Sequence, residues 1–461
     1  MGTTLLLSET PLERSAPVSN WPWLAEFRHQ AQLDFNRQGL PDTRLEQWKY
    51  TNINVLANTE FRVATEALDL QSAVQSGMLD RDKAEHFNAL QSAAEEHRLV
   101  FLAGRFQAGL SRVSSLPRGA KLLSMRQALE QQQPLIGAHL GRIAKHQGHP
   151  FAALNSLWFD DGLFLYLPAG CQLQQPIHCL FYSPSGPDSF ASYPRLLILL
   201  ESGAQAQLVE EYLGATQPDA DAEAVQFTDS LTEVSLAAGA RLTHCKLLRE
   251  SEQGHHIAGL HVEQAETSRF QSFSLTLGGG ICRNDVQVRL TEGGAETQLN
   301  GLYLLGGRQH LDNHLRIDHL HSGCRSEVFY KGILNDRSRG VFNGIAVVHP
   351  GAQQSDARQV NKNLLLSTGA EIDTKPELQI EADDVQCSHG ATVGQLDDDA
   401  LFYLCSRGLE WDHARALLTF AFAREALDRI PAGPLSERLE ALTFDALASQ
   451  MGGALLQGKT L

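Results

Sequence analysis

From about Asn155 the chain alternates apolar and polar side chains in short runs rich in β formers. In "DVQVRL", Val286, Val288 and Leu290 alternate with Asp285, Gln287 and Arg289. In "ELQIEA", Leu378, Ile380 and Ala382 alternate with Glu377, Gln379 and Glu381. A period of two marks strands with one face buried. The segments on either side keep a helical period. "WPWLAEFRHQAQLDFNRQGLP" spaces Trp23, Leu24, Phe27, Ala31 and Phe35 by three or four residues and stops at Gly39–Leu40–Pro41. "ALDLQSAVQSGML" and "RQALEQQQPLIGAHLGRIAKH" read the same way. After Asp399, Asp397 caps a helix through "ALFYLCSRG" with Gly408 as its stop. "WDHARALLTFAFAREALDRI" follows with an apolar stripe of Ala414, Leu417, Leu418, Ala421, Phe422 and Leu427, and "SERLEALTFDALASQM" adds a third amphipathic segment. The pattern divides the chain into a mostly helical region 1–150, a β region 151–396 and a helical region 397–461. The last helices either close an end of the β region or offer an apolar face to a partner.

A slower repeat runs through the β region. Gly-Ala pairs begin at Gly203, Gly239, Gly294, Gly351 and Gly369, with Gly323–Cys324 as a variant, at spacings of 36, 55, 29, 28 and 18 residues. The value 55 is close to twice 28. Strands punctuated at this interval by small turn residues are what stacked coils produce, so the expected fold is mainly β, a β-helix rather than a sandwich.

Composition narrows the function. The 461 residues carry 38 basic and 54 acidic side chains, a net charge of −16 without a dense Lys/Arg run, which disfavours nucleic acid and anionic membranes. The longest aliphatic run, Leu196 to Leu200, is far shorter than the ~20 residues of a membrane-spanning helix. "MGTTLLLSETPLERSAPVSN" lacks the long apolar core of a secretory signal. Seven cysteines without CxxC spacing suit a reducing cytoplasm and oppose a disulfide framework.

Candidate chemistry is sparse. "GALLQGKT" (Gly453 to Thr460) fits the P-loop pattern, but only Leu461 follows it, so the helix that a phosphate cradle requires has no chain to form from. "LGGGICRN" lacks the context of a dinucleotide site. In "RQHLDNHLRIDHLHSG", His310, Asp312 and His314 share one strand face, with His319 and His321 on the other. Leu311, Leu315 and Ile317 lie opposite His310 and His314, so those two are expected outward and solvated. A stand-alone metal site there is one alternative. A carbohydrate-active β-helix enzyme using "KGILNDRSRG" (Lys331, Asp336, Arg337, Arg339) is another. No nucleophile elbow or HExxH occurs. In "DVQCSHGATVGQLDDD", Cys387 and His389 point to one side of an extended segment, with α-carbons roughly 6.5–7 Å apart. Two donors are fewer than the four that tetrahedral iron or zinc takes, so the pair is either half a site or buried packing.

Longer stretches add a resemblance. "GLPDTRLEQWKYTNI", "SRGVFNGIAVVHPGAQQSDARQVNKNLLLSTGAEIDTKPELQIEADDVQCSHGATVG" and "FYLCSRGL" resemble the SufB/SufD family of iron–sulfur cluster assembly proteins. The chain lacks the CxxC-type motif and the Cys-Gly-Ala of the SufB side, having Thr368–Gly369–Ala370 instead, and so is more similar to the SufD branch. The resemblance implies a right-handed parallel β-helix flanked by helical regions, with no catalysis by this chain. It also implies a complex in which the β-helix pairs with that of SufB, and two copies of the ATPase SufC dock on the C-terminal helices from Ser406 onward. A cysteine desulfurase and a sulfur carrier supply sulfur, and the nascent cluster or its iron is held between the two β-helices. By the same resemblance His389 helps hold that cluster against a SufB cysteine. Cys387 lies in the motif without a role carried over, and Cys405, where the motif more commonly has arginine, is read as helix packing. This chain is expected to bind no nucleotide itself, and alone it can form a homodimer.

Overall fold

The computed structural model describes residues 3–6, 21–63, 97–184, 188–215 and 224–450. The helix read at "ALDLQSAVQSGML" and the motif "GALLQGKT" lie outside them. The β region is a parallel solenoid of about seven turns. Strands alternate between two walls. One wall stacks Gln226–Leu236, Gly254–Gln264, Ile281–Leu290, His310–His319, Arg339–Val348 and Glu371–Ile380. The second stacks Gln205–Gly214, Arg241–Arg249, Arg269–Thr276, Glu296–Leu305, Arg325–Leu334, Asp356–Leu365 and Gln386–Gly394. Ile281 aligns with His310 and His310 with Arg339, so one coil here takes 29 residues.

Parallel stacking in register turns the alternation within each strand into columns. On the first wall Val234, Val262, Val288, Ile317, Ala346 and Leu378 follow one another directly. The first five are buried, each closing the apolar face of the coil beside it. The Gly-Ala marks are the corners. Gly203, Gly239, Gly294 and Gly323 take φ near +70°, where a side chain is strained, and the next residues, Ala204, Ala240, Ala295 and Cys324, are fully buried. The double interval between Gly239 and Gly294 is filled by Thr267–Ser268: Thr267 adopts φ 55° and Ser268 is buried. The repeat is therefore unbroken in space.

The ladder starts earlier than the alternating pattern does. His97–Leu102 pairs parallel with Ile177–Ser183, and Lys121–Ser124 pairs with Gly162–Leu167, so the region read as mostly helical also carries strands. Every residue of "HRLVFL" is buried, and a strand covered on both faces shows no period of two. Helix Pro22–Gln38 forms where its pattern places it, ends at Gly39 (φ 65°), and buries Leu24, Ala31 and Phe35. Together with helix Pro150–Trp158 it covers the outside of the first wall.

The C-terminal helices do not close the end of the solenoid. Helices Trp411–Leu427 and Pro434–Gln450 lie along the outside of the second wall, where Val209, Leu247, Phe273 and Phe329 point outward and meet Ala423, Leu427, Leu439 and Leu447. The buried stripe of the first of these helices runs through Ala416, Thr419, Ala423 and Ala426, and Ala421 is exposed. Small residues face the sheet because they allow the backbones to approach. Helix Asp398–Ser406 does begin at Asp397, whose carboxylate accepts from the amides of Asp399 (2.8 Å) and Ala400 (3.2 Å). Gly408 follows at φ 99°.

Candidate functional site

The solenoid ends open. Glu371–Ile380 and Gln386–Gly394 are terminal strands, each with a neighbour on one side only among the described residues. Their inward positions, buried in earlier coils, are here only partly covered or exposed, because no further coil lies on them among the described residues. On the first wall these are Ile372, Thr374, Pro376, Leu378 and Ile380. On the second wall one column reads Leu208, His244, Ser272, Leu299, Val328, Gln359 and finally His389. The column is buried through Gln359, and His389 is exposed. An imidazole that would sit in the core of a longer solenoid is thus presented to whatever covers the last coil.

The floor beneath it is polar. Gln359 donates to the Glu377 carbonyl (3.1 Å), and Asn363 and Thr374 donate to Asn361 Oδ1 (2.6 and 2.9 Å). The Tyr303 hydroxyl donates to Asn363 Oδ1 (2.6 Å). Nothing in the sequence patterns singled out these amides, because a buried Gln or Asn on a strand has no periodic signature. Cys387 occupies the same face as His389, two positions earlier, opposite Ala357. It is half-buried against Val348, Ala352 and Ala382. Burial pushes its thiol up, which disfavours the thiolate a metal requires. Of the pair, His389 is the accessible donor. Cys405 is half-exposed on helix Asp398–Ser406.

The histidine cluster has a different fate from the solvated surface expected for it. His310 and His314 do face outward on strand His310–His319, but the segment after helix Pro22–Gln38 lies over His310 and Asp312. Thr51 Oγ1 stands 2.9 Å from His310 Nε2 and donates to Asp312 Oδ2 (2.5 Å). Arg283 donates to the same Asp312 oxygen and to the Gln47 carbonyl (both 2.7 Å), with its guanidinium 3.9 Å from the Trp48 ring centroid. His314 Nε2 lies 2.9 Å from Asp312 Oδ1. Burial works to raise Asp312, and Arg283, His314 and Thr51 together more than offset it, holding the carboxyl at about 2. A guanidinium in the middle of the donors repels a cation, so the cluster anchors "RLEQWKYTNI" to the solenoid and does not form a metal set. His319 faces the interior beside Ser326 (2.8 Å), and His321 is exposed in the following turn. Among the described residues no three His, Cys, Asp or Glu side chains gather as ligands for one metal ion.

The remaining motifs are not brought together either. Lys331 is buried under helix Trp411–Leu427 on the second wall, Arg339 projects from the first wall beside Asp373 (2.8 Å), and Asp336 lies in the turn between them. They form no cleft for a polysaccharide. Gly278 and Gly280 permit close backbone approach: a Cβ on either would stand 2.3 Å from a carbonyl oxygen, of Glu250 and Glu252 respectively. No helix among the described residues is long and apolar enough to cross a membrane.

Fold and site define a helix-flanked parallel β-solenoid with an open last coil that presents one histidine. Two family models match the chain: the SufBD protein N-terminal region over residues 17–179, and the SufBD core domain of the SUF iron–sulfur cluster assembly system over residues 182–422. An iron–sulfur cluster assembly SufBD family protein of Synechocystis is 35% identical over 403 residues, 87% of this chain and 86% of that protein. The iron–sulfur cluster assembly protein SufD of Escherichia coli is 30% identical over 396 residues, 86% of each chain. SufD of Bacillus subtilis is 24% identical over 450 residues, 95% of this chain and 98% of that protein. The chain belongs to the SufBD family of iron–sulfur cluster assembly proteins.

Proposed function

We propose that this chain is the non-catalytic SufD-type subunit of a scaffold on which nascent iron–sulfur clusters are built. Its open coil pairs with the β-helix of SufB, and its C-terminal helices dock the ATPase SufC. The observation that carries the reading is His389 at the exposed end of an otherwise buried column. Two strand edges and a half-apolar lumen mouth suit extension of both sheets by a second solenoid. The cluster is cargo in this scheme. His389 supplies one ligand, and the remaining donors come from the facing chain, because this one gathers too few. Sulfur arrives from a cysteine desulfurase through a sulfur carrier, and ATP is hydrolysed by SufC.

His389→Ala is expected to lower iron and acid-labile sulfide in the anaerobically purified complex roughly tenfold or more, while the subunits stay associated. Unchanged iron and sulfide in an intact complex return His389 to packing and sink the ligand role.

For SufC docking, the support is aromatic exposure. Phe402 (73% exposed), Tyr403 (56%) and Trp411 (54%) are uncovered on and beside helix Asp398–Ser406. Aromatic anchors dominate interface energetics, so Phe402→Ala with Tyr403→Ala is expected to weaken SufC binding roughly 10–100-fold by titration calorimetry. Native affinity in that double variant moves the docking site elsewhere.

A further inference from the structure

The outward side chains of the second wall stand in columns, like the inward ones. One column, read across adjacent strands, runs Gln205, Arg241, Arg269, Glu296, Arg325, Asp356 and Gln386. From Arg269 to Asp356 the sign alternates, so each charge lies beside an opposite one. Opposite charges at facing strand positions stabilise a sheet, and like charges there destabilise it. Arg241 breaks the order. Its neighbours in the column are Gln205 and a second guanidinium, Arg269, which itself pairs with Glu296 on the far side (3.3 Å). Elsewhere on this wall two like charges are opposed, Lys331 and Lys362, and there Glu425 accepts from both (2.5 and 2.7 Å).

Arg241 and Arg269 are exposed and line a groove of about 360 Å³ that crosses the first coils of the second wall. Exposed amides line it with them, among them Gln172, Gln174, Gln207 and Gln271. Among the described residues no carboxylate lines the groove, and neither do helices Trp411–Leu427 and Pro434–Gln450, which cover the wall further along its strands. The surface is therefore open, polar and cationic in a chain whose net charge is −16.

We propose that this groove binds a small di- or tricarboxylate. A guanidinium meets a carboxylate through two parallel N–H donors, and such a charge-assisted bond is roughly twice as strong as a neutral one. One carboxylate between Arg241 and Arg269 supplies the anion that the column lacks, as Glu425 does for the two lysines. The glutamine amides both donate and accept, which suits the remaining carboxyl and hydroxyl oxygens of such a ligand. At ~30 Å³ for each water-sized group the groove takes about a dozen of them. That is more than inorganic phosphate fills and close to the size of citrate. A local cationic surface on an acidic chain also concentrates anions where it lies.

The test is isothermal titration of the full chain with citrate in metal-free buffer, and with inorganic phosphate as a second titrant. Citrate is expected to bind at one site with a dissociation constant of roughly 1 mM or tighter, and phosphate roughly tenfold more weakly. Arg241→Gln should weaken citrate roughly tenfold, the loss of one bond to a charged group, and Arg241→Gln with Arg269→Gln should abolish binding. Both side chains are exposed, so neither change disturbs the core. Arg325→Gln, in the same column but set between Glu296 and Asp356, should leave citrate binding unchanged. No heat from citrate up to about 10 mM overturns the proposal. Phosphate binding as tight as citrate overturns the carboxylate class. Equal weakening by Arg325→Gln and Arg241→Gln also overturns it, since bulk charge would then account for the binding.

Discussion

Replacing Glu233 by alanine is expected to lower folding stability by about 3–5 kcal/mol, the largest loss of any single substitution considered in this chain. Glu233 and Arg195 are both fully buried and 2.5 Å apart. Arg195 also donates to Ser156 (2.8 Å) and Asn155 (3.2 Å) on helix Pro150–Trp158. The carboxylate accepts the amides of Gly141 (2.9 Å), Ile143 (3.1 Å) and Ala144 (3.0 Å). The variant therefore strands a buried guanidinium and leaves three amides, that of Ala144 buried, without their acceptor, and it detaches the N-terminal layer from the first wall. Urea denaturation measures the loss. Arg195→Met combined with Glu233→Leu should cost much less than the two single changes together, because no charge is left unpaired. A loss below about 1 kcal/mol for Glu233→Ala means that the 141–144 loop finds other partners, and the anchoring role falls.

The second large effect is acid lability. Burial pushes His255, His261 and His319 down to about 4 each, with nearby His149 adding to the shift at His261. All three are at least nine-tenths buried. An unfolded histidine titrates near 6.5, so between pH 6.5 and 4 the unfolded chain takes up protons that the folded chain refuses. Stability is therefore full above pH 6.5 and is lost as pH falls through that window, on the order of 3 kcal/mol per ring at the lower end. Asp229, pushed well above the usual carboxylate range by burial, works in the opposite direction and offsets part of the loss. Asp312, held at about 2, keeps its contribution above pH 4 and loses it only as pH falls further. Urea midpoints at pH 7.5 and pH 5 measure the effect. Equal midpoints would mean that these rings are hydrated and titrate normally.

How much of this was legible in the sequence differs from element to element. The coils were legible because a strand with one buried face leaves a period of two, as in Val286, Val288 and Leu290. The corner glycines also leave a period near 28. The gap at 267 was not, since a threonine carries the left-handed turn there and nothing in its identity announces it. "HRLVFL" was missed because burial on both faces erases alternation. Where the C-terminal helices run was not legible for a related reason: the apolar outward residues Val209, Leu247, Phe273 and Phe329 sit on strands whose inner faces are buried too. At the site, the same-side placement of Cys387 and His389 followed from strand geometry alone. Which of the two is open did not, because that depends on Val348, Ala352 and Ala382, which reach Cys387 only in the folded coil. The covering of His310 and Asp312 depends on contacts with Thr51 across 259 and 261 residues, which no local spacing encodes.

The stacking also orders events in time. Each coil needs only the one about 29 residues before it, so a chain emerging from the ribosome can add coils one by one while synthesis continues. The grip of the C-terminal helices is of another kind. Arg438 reaches back 227 residues to Glu211 (2.6 Å), and Glu425 reaches back 94 to Lys331. Those contacts have to wait until the two helices themselves leave the exit tunnel. The nascent protein is therefore a growing rod with the outer face of its second wall uncovered, and the helical pair fastens along it only after every coil has been made.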